Sequence, residues 1–217
     1  MRDLPVISIE NYTIYCGDVD ENKVSGCAKV VRNDYNNLME EFGSRGRELW
    51  IASAHTPTET AEDNNKGAFY DEPNALMSKI PRQQVVIVRI DANAKMGLEQ
   101  QSYVLGKGYY PAKRTSYNND HLVHLCEQTG IIIACTFKRN HRRHQLTWQG
   151  STVLTPEKQH MWNMRTLQLD YDLTKNIPQS DIQKSRAVFN VSFDSDHRLV
   201  LLSFKIWFYK RNRGVPL

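Results

Sequence analysis

Two short polar motifs stand beside apolar runs and contain residue types that bind divalent cations and phosphate. In Asp91-Ala92-Asn93, which follows the apolar run Val85–Val88, an acid and an amide two residues apart point to the same side of a strand. The carboxylate could bind a hard cation or a water molecule, and the amide could donate to a phosphate oxygen. Asp196-His197, just before another apolar run, could divide such work between a metal ligand and a general base. Taken alone, each motif is more typical of an ordinary polar turn.

Two further residues could complete a site of this kind. Asp170 lies within the apolar segment Leu167–Tyr171, where a buried carboxylate needs a partner, and orienting an imidazole is a common task for such an acid. Alternation along a strand would also let Asp170 face solvent. His55 precedes Thr56-Pro57 and could contact a phosphate or simply end a strand.

A basic segment, Lys138–His144, lies between two threonine–aromatic pairs, Thr136-Phe137 and Thr147-Trp148. Aromatic side chains beside clustered cations suit a nucleic-acid backbone and its bases. A charged run of this length is also typical of a solvated loop, so the segment alone indicates no partner.

The elements that must position these residues are mainly strands. Predicted helices span Ala61–Ile80 and Asn119–Gln128, the second ending in Thr129-Gly130, a helix stop. An interior Pro73 argues against the first helix, and Arg89 interrupts the apolar run before Asp91. The pattern favours an α/β fold of two sheets packed face to face with helices outside. Runs rich in β-branched and aromatic residues predict strands at Tyr12–Cys16, Leu49–His55, Gln84–Ile90, Ile131–Thr136, Gln145–Trp148, Leu167–Leu173 and Leu199–Phe208.

Bulk composition is that of a globular protein. The chain has 217 residues, of which 40% are hydrophobic and 24% charged, enough for one domain spanning residues 1–217. The net charge of +4 is compatible with a polyanionic partner without singling one out. No apolar segment follows Met1, and the longest apolar run, Leu199–Leu202, is too short to cross a membrane.

The four cysteines show no spacing typical of a zinc site or a redox pair. They are predicted to be reduced and buried, which favours an intracellular protein, nuclear or cytoplasmic. The four are Cys16, Cys27, Cys126 and Cys135.

The chemistry-bearing motifs form one ordered series along the chain. This series resembles the endonuclease/exonuclease/phosphatase superfamily, which includes pancreatic deoxyribonuclease and the apurinic/apyrimidinic endonucleases. Over about residues 14–208 the chain is more similar to the endonuclease domains of RTE-type non-LTR retrotransposons, a group that includes craniofacial development protein-like sequences. Residues 209–217 would form a basic tail. In order, the motifs are Ala54-His55-Thr56-Pro57, Asp91-Ala92-Asn93, the two threonine–aromatic pairs, Leu169-Asp170-Tyr171 and Ser195-Asp196-His197.

The resemblance implies a four-layer α/β sandwich of two packed mixed sheets, as in deoxyribonuclease, and hydrolysis of a phosphodiester with Mg²⁺ or Mn²⁺. Asp91 would bind or activate the attacking water, and Asn93 would orient that water and the phosphate. Asp196 would be a metal ligand and His197 would contact the scissile phosphate. The resemblance further implies that His55 stabilises phosphoryl charge and that Asp170 orients His197. Thr147 and Trp148 would support the site from beneath. A monomer would bind DNA through Arg139, Arg142, Arg143 and Trp148.

The chain departs from the family pattern in several places. Relatives begin with strands that carry an Asn and a metal-binding Glu, and nothing before Asn11 matches them, so we expect a site that lacks its upstream ligand. Arg89 stands where Gly is usual, and Gln168 where a basic residue is usual. The main hypothesis is therefore a nuclease domain with a truncated N-terminus. Its alternatives are an inactive module that binds DNA or phosphate and a phosphatase for a small or lipid phosphate.

Overall fold

A computed structural model describes residues 49–150, 166–191 and 195–205, together with the backbone of three strands at 6–9, 12–16 and 28–32. These three strands, β1 (Val6–Ile9), β2 (Tyr12–Cys16) and β3 (Ala28–Arg32), form an antiparallel sheet in the order β1-β2-β3. The prediction for β2 is confirmed. Strands β1 and β3 were not predicted, and β3 contains Lys29 within an otherwise largely apolar run.

A four-stranded mixed sheet supports most of the predicted site. Its strands β4 (Leu49–His55), β5 (Val85–Asp91), β6 (Ile132–Ile133) and β9 (Asp170–Lys175) lie in the order β4-β5-β9-β6. β4 runs parallel to β5, whereas β9 is antiparallel to it. The register pairs His55 with Asp91 and Asp91 with Asp170. Three predicted site residues therefore lie side by side where β4 and β5 end and β9 begins.

Alternate residues of β5 face two different hydrophobic clusters. Val86, Val88 and Ile90 pack in a cluster with residues of the two helices. Val85 and Ile87 face the other way and pack with residues of a second sheet. The continuous apolar run was interpreted as a strand covered on both faces, and this interpretation is confirmed.

The second sheet is an antiparallel pair, β10 (Ile182–Val188) and β11 (Leu199–Phe204). Ile182 and Leu202 contribute to the cluster shared with β5. The α/β class with mixed and antiparallel sheets is confirmed, and the layers are consistent with a sandwich. The four-layer deoxyribonuclease arrangement stays a prediction.

Both predicted helices are present. Helix α1 (Asp63–Lys79) continues through Pro73, although the missing N–H of a proline weakens a helix interior. Helix α2 (Tyr117–Thr129) ends at Gly130, whose φ of 68° is the left-handed conformation that glycine adopts readily. The carboxylate of Glu59 accepts hydrogen bonds from the backbone N–H groups of Tyr117 and Asn118, at 2.8 and 3.4 Å, and so satisfies donors at the start of α2.

Several strand predictions were too long. Ile131–Thr136 yields only Ile132–Ile133, because the chain then turns into a 3-10 helix, Ala134–Phe137, in which the Thr136 hydroxyl donates to Ile133 O at 2.6 Å. Gln145–Trp148 yields the short β7 (Trp148–Gln149), which pairs with β8 (Thr166–Leu167), after a 3-10 turn at Arg142–His144.

The strand predicted at Leu167–Leu173 is interrupted at Gln168 and Leu169, between β8 and β9. At this break the backbone N–H of Leu169 bonds the side chain of Thr147 instead of another strand. The prediction Leu199–Phe208 is confirmed to Phe204, and residues 206–208, like the basic tail at 209–217, lie outside the described residues.

The sequence suggested that Arg89 disrupts the apolar run of β5. In the structure this arginine instead has a specific partner on the neighbouring strand. It lies opposite Asp172 of β9, and its Nη2 and Nε donate to Asp172 Oδ1 at 2.6 and 2.9 Å. Arg89 also donates to Val200 O, and Ser185 donates to Asp172 Oδ2 at 2.6 Å. The arginine thereby compensates a carboxylate that is 0% exposed.

Among the described residues, neither helix is long and apolar enough to cross a membrane. Cys126 and Cys135 are buried free thiols, as predicted. The side chains of Cys16 and Cys27 lie outside the described residues.

Candidate active site

Four predicted residues lie together at the end of the mixed sheet where β4 and β5 finish and β9 begins. His197 Nδ1 donates to Asp170 Oδ2 at 3.0 Å, and His197 Nε2 lies 3.6 Å from Asp91 Oδ2. His55 Nε2 lies 3.4 Å from the same oxygen of Asp91. The carboxylates are only 15% exposed, whereas His55 is 50% exposed. The cluster is thus closed beneath the acids and open on the side of His55.

The segment carrying His197 is held by β7. Trp148 and His197 pair as an antiparallel bridge, with Gln149 N donating to Asp196 O at 2.9 Å and Arg198 N donating to Thr147 O at 2.7 Å. These bonds bring the Ser195–Arg198 segment beside Asp170. Asp196-His197 precedes the strand β11, as the sequence indicated. The hydrogen bonds that fix the position of this pair, however, come from the short strand β7 and the adjacent Thr147.

Thr147 supports the site from beneath, as the resemblance implied. Its buried Oγ1 accepts the backbone N–H groups of Leu169 and Asp170, both at 3.0 Å. One hydroxyl therefore fixes the start of β9 and with it the Asp170 carboxylate.

Asn93 is both a turn residue and a neighbour of the site. Its backbone N–H donates to Asp91 Oδ1 at 3.1 Å, and its φ of 44° is a left-handed conformation that asparagine tolerates. Its side-chain amide donates to Thr56 O at 3.0 Å. The predicted contact with water and phosphate stays a prediction.

Two residues of the site have raised pKa values. Burial, followed by the nearby Asp170 carboxylate, raises the pKa of Asp91 above its ordinary value. The hydrogen bond to Asp170 raises the pKa of His197, reinforced by the negative charges around it. The two adjacent carboxylates repel each other, and a proton on His197 or a bound cation would offset this repulsion.

The donor set fits a divalent cation. Asp91, Asp170 and His197 each offer one ligand atom, and these atoms lie within 4.8 Å of one another. Carboxylate oxygens suit Mg²⁺ and Mn²⁺, and imidazole suits the transition metals. These residues could hold a metal ion; its identity as Mg²⁺ or Mn²⁺ stays a prediction.

Asp196 is not part of this group of ligand atoms among the described residues. Its Oδ2 accepts a hydrogen bond from the indole Nε1 of Trp148 at 2.9 Å. Trp148, predicted as a DNA-binding residue, is thereby engaged with Asp196. The roles assigned to both residues stay predictions.

Two arginines of the basic segment lie against aromatic rings. The guanidinium of Arg142 is 4.9 Å from the ring centroid of Tyr110, and that of Arg143 is 4.6 Å from the ring of Phe189. Arg139, Arg142 and Arg143 are all exposed. The aromatic partners were not predicted, because they lie 32 and 46 positions away in the sequence and no local spacing connects them.

Thr56 is a further site residue that the sequence did not single out. Its backbone N–H and its hydroxyl both donate to Asp91 O, at 2.9 and 3.2 Å, and it is completely buried. The position beside His55 was a signal, but a threonine before a proline has no distinctive chemistry.

No family model matches the chain. It is similar to Craniofacial development protein 2 of Bos taurus, with 21% identity over 211 residues, and to the protein of the same name from Tragulus javanicus, with 22% identity over 213 residues. Each alignment covers 92% of this chain and 33% or 34% of the relative, so the chain spans about a third of the length of the curated relatives it matches. The similarity is a distant one to Craniofacial development protein 2.

Proposed function

We propose that this chain is a metal-dependent phosphodiester hydrolase that cleaves nucleic acid, a nuclease of the endonuclease/exonuclease/phosphatase type. The observation that carries the proposal is the cluster of Asp91, Asp170 and His197, with His55 at its open side. Four residues from four separate sequence motifs meet there, which ordinary turn and strand-end residues have no reason to do.

The chain's own residues can perform most of the reaction. Asp91 is placed to accept a proton from the attacking water, since its carboxylate lies at the centre of the cluster, between His55 and His197. Asp170 holds the ring of His197 through Nδ1, so that Nε2 can donate to a phosphate oxygen. Half-exposed His55 lies at the entrance, where a second donor would stabilise phosphoryl charge.

Asp91 and Asp170 are the residues that would hold the cation through their carboxylate oxygens, because the two ring nitrogens of His197 donate to Asp170 and to the phosphate. When bound, a divalent cation offsets the negative charge that develops on the phosphate. The same charge compensates the two carboxylates that lie side by side on β5 and β9.

The basic segment supports a polymeric substrate. It contains Lys138, Arg139, Arg142 and Arg143 and no acid, and in the described parts of the chain none of the four forms a salt bridge. The segment also adjoins the site, since Arg198, next to His197, donates to Arg143 O at 3.3 Å. Cations that lie beside the site and have no acidic partner among the described residues favour a phosphate backbone over a small phosphate ester.

A plasmid-nicking assay tests the proposal. Supercoiled plasmid is incubated with the chain and Mn²⁺ or Mg²⁺, and the rate of conversion to the nicked form is measured for wild type, Asp91→Asn and His197→Gln. Each substitution should lower the rate by about 10²-fold or more, because Asp91→Asn removes the acceptor of the water proton and His197→Gln removes a donor to the phosphate. Chelation of the metal should abolish nicking.

Asp120→Asn and His124→Gln are matched controls, since both residues are exposed on α2 and outside the cluster. They should nick at the wild-type rate. Nicking that survives in the site variants contradicts the assignment. If wild type never nicks but binds DNA in a salt-sensitive manner, the hydrolase is wrong and the binding module is favoured.

A further inference from the structure

Asn118, the second residue of α2, joins two loops of the site from below. It is 0% exposed, and its side-chain Nδ2 donates to Pro57 O at 2.9 Å and to Asn93 O at 3.3 Å. Pro57 lies two residues after His55, and Asn93 lies two residues after Asp91. A single amide group therefore ties together the segments that follow β4 and β5.

The main chain of Asn118 is itself held in place. Its N–H lies 3.4 Å from Glu59 Oε2, and its carbonyl oxygen accepts the hydroxyl of Tyr70 at 3.3 Å. Tyr70 belongs to α1, so both helices fix the position of this amide.

The orientation of the Asn118 amide leaves one of its polar atoms without a hydrogen bond within the described part of the chain. Asn118 Oδ1 is buried and has no hydrogen-bond partner among the described residues. Buried polar atoms are normally paired, and an exception calls for an explanation. Turning the amide over would place Oδ1 against the carbonyl oxygens of Pro57 and Asn93, so the observed orientation is the one that holds the loops.

We propose that Asn118 is a positioning residue for the phosphodiester hydrolysis inferred above, on which this proposal rests. It fixes the separation between the loop of His55 and the loop of Asn93, so that both side chains address one phosphate. Asp170 and His197 come from other elements and do not depend on it. The substitution of Asn118 should therefore impair turnover more than metal binding.

Asn118→Asp is the test, because it keeps the shape of the side chain and replaces the donor with an acceptor that repels both carbonyls. Asn119→Asp is a closely matched control. Asn119 is also 0% exposed, its Oδ1 is also unpartnered among the described residues, and its Nδ2 donates to Gln100 Oε1 at 2.9 Å, away from both loops.

We expect Asn118→Asp to lower kcat for plasmid nicking about 10- to 100-fold relative to Asn119→Asp, since small displacements of reacting groups have large effects. KM and the affinity for Mn²⁺, measured by calorimetry, should change less than about 3-fold. Equal losses of kcat in the two variants, or a loss of Mn²⁺ affinity as large as that of kcat, would mean a general structural role and overturn the proposal.

Amide chemical shifts separate this inference from the proposed function. In Asn118→Asp the N–H signals of Thr58 and Ala94, which share peptide groups with the bonded carbonyls of Pro57 and Asn93, should move, and in Asn119→Asp they should stay. A wild-type chain that never nicks DNA refutes the hydrolase and the positioning role in it, whereas unmoved signals in Asn118→Asp refute the tie between the loops even if the wild type is active.

Discussion

His197 donates its Nδ1 proton to Asp170 across 3.0 Å, and this hydrogen bond is the largest cause of the raised pKa of His197. A histidine whose pKa is raised by folding binds its proton more tightly in the native state. Its contribution to stability is therefore fully present below about pH 6.5, the ordinary value for histidine, and is lost as the pH rises through the raised pKa. The pH dependence of stability above about pH 6.5 is thus linked to the pair of His197 and Asp170.

This reasoning predicts a pH dependence that Asp170 controls. In the presence of a chelator, the free energy of unfolding of wild type should decrease as the pH rises from about 6.5 through the raised pKa of His197. Asp170→Asn should flatten this decrease, because it removes the charge that raises the pKa and leaves at most a weaker hydrogen bond to a neutral amide oxygen. Urea denaturation over this pH range measures the effect, with the exposed Asp120→Asn as the control. A wild-type slope retained in Asp170→Asn would show that Asp170 does not govern His197.

The residue types of the site could be predicted from sequence, but many of their contacts could not. Asp91, Asp170 and His197 occur in short motifs whose residue types alone indicate metal or phosphate binding. The hydrogen bond between Trp148 and Asp196 spans 48 positions, and no local pattern encodes which distant donor a carboxylate will meet. The same reason explains why Thr56 and Asn118 were missed.

At the scale of elements, one ion pair links the side chains of β5 and β9. Arg89 and Asp172 lie directly opposite each other, and Asp172 is completely buried while the side chain of Arg89 is 40% exposed. A buried carboxylate without its cation is costly, whereas an apolar pair of similar size at the same positions is often tolerated.

Arg89→Met should accordingly destabilise the chain by about 3 kcal/mol, since it leaves the Asp172 charge uncompensated. The double variant Arg89→Met/Asp172→Leu should recover much of this loss, even though it also removes the acceptor of the Ser185 hydroxyl. Urea denaturation of both variants and of wild type gives the comparison. A double variant less stable than Arg89→Met would show that the pair has no such compensating role.

Strand and helix predictions succeeded where a run of suitable residues was long or ended at a clear stop signal. β4, β5 and both helices were located within a few residues. β10 was missed because its sequence, Ile182–Val188, contains four polar residues and its pairing is irregular between Ile182 and Lys184. The interruption before β9 was also missed, since it depends on the distant hydroxyl of Thr147.

Charge is unevenly distributed over the whole molecule. The segment Lys138–His144 alone contains four cations and no acid, whereas the net charge of the complete chain is only +4. The remainder of the chain is therefore close to neutral, and a polyanion should be attracted to this segment and its surroundings. The total charge alone could not predict this, because it says nothing of where the cations lie.

The salt dependence of DNA binding tests this charge distribution. Arg142→Ala/Arg143→Ala should weaken DNA binding and reduce the magnitude of the slope of log K against log salt concentration by about 2, because roughly one counterion is released for each phosphate contact. Lys79→Ala/Arg82→Ala is the control, since both residues are exposed and precede the start of β5, about 20 Å along that strand from Asp91. Fluorescence anisotropy measures DNA binding by both double variants between roughly 50 and 200 mM salt, a range over which such slopes are resolved. If both double variants change the slope equally, attraction by the overall charge explains binding, and the basic segment is not the contact surface.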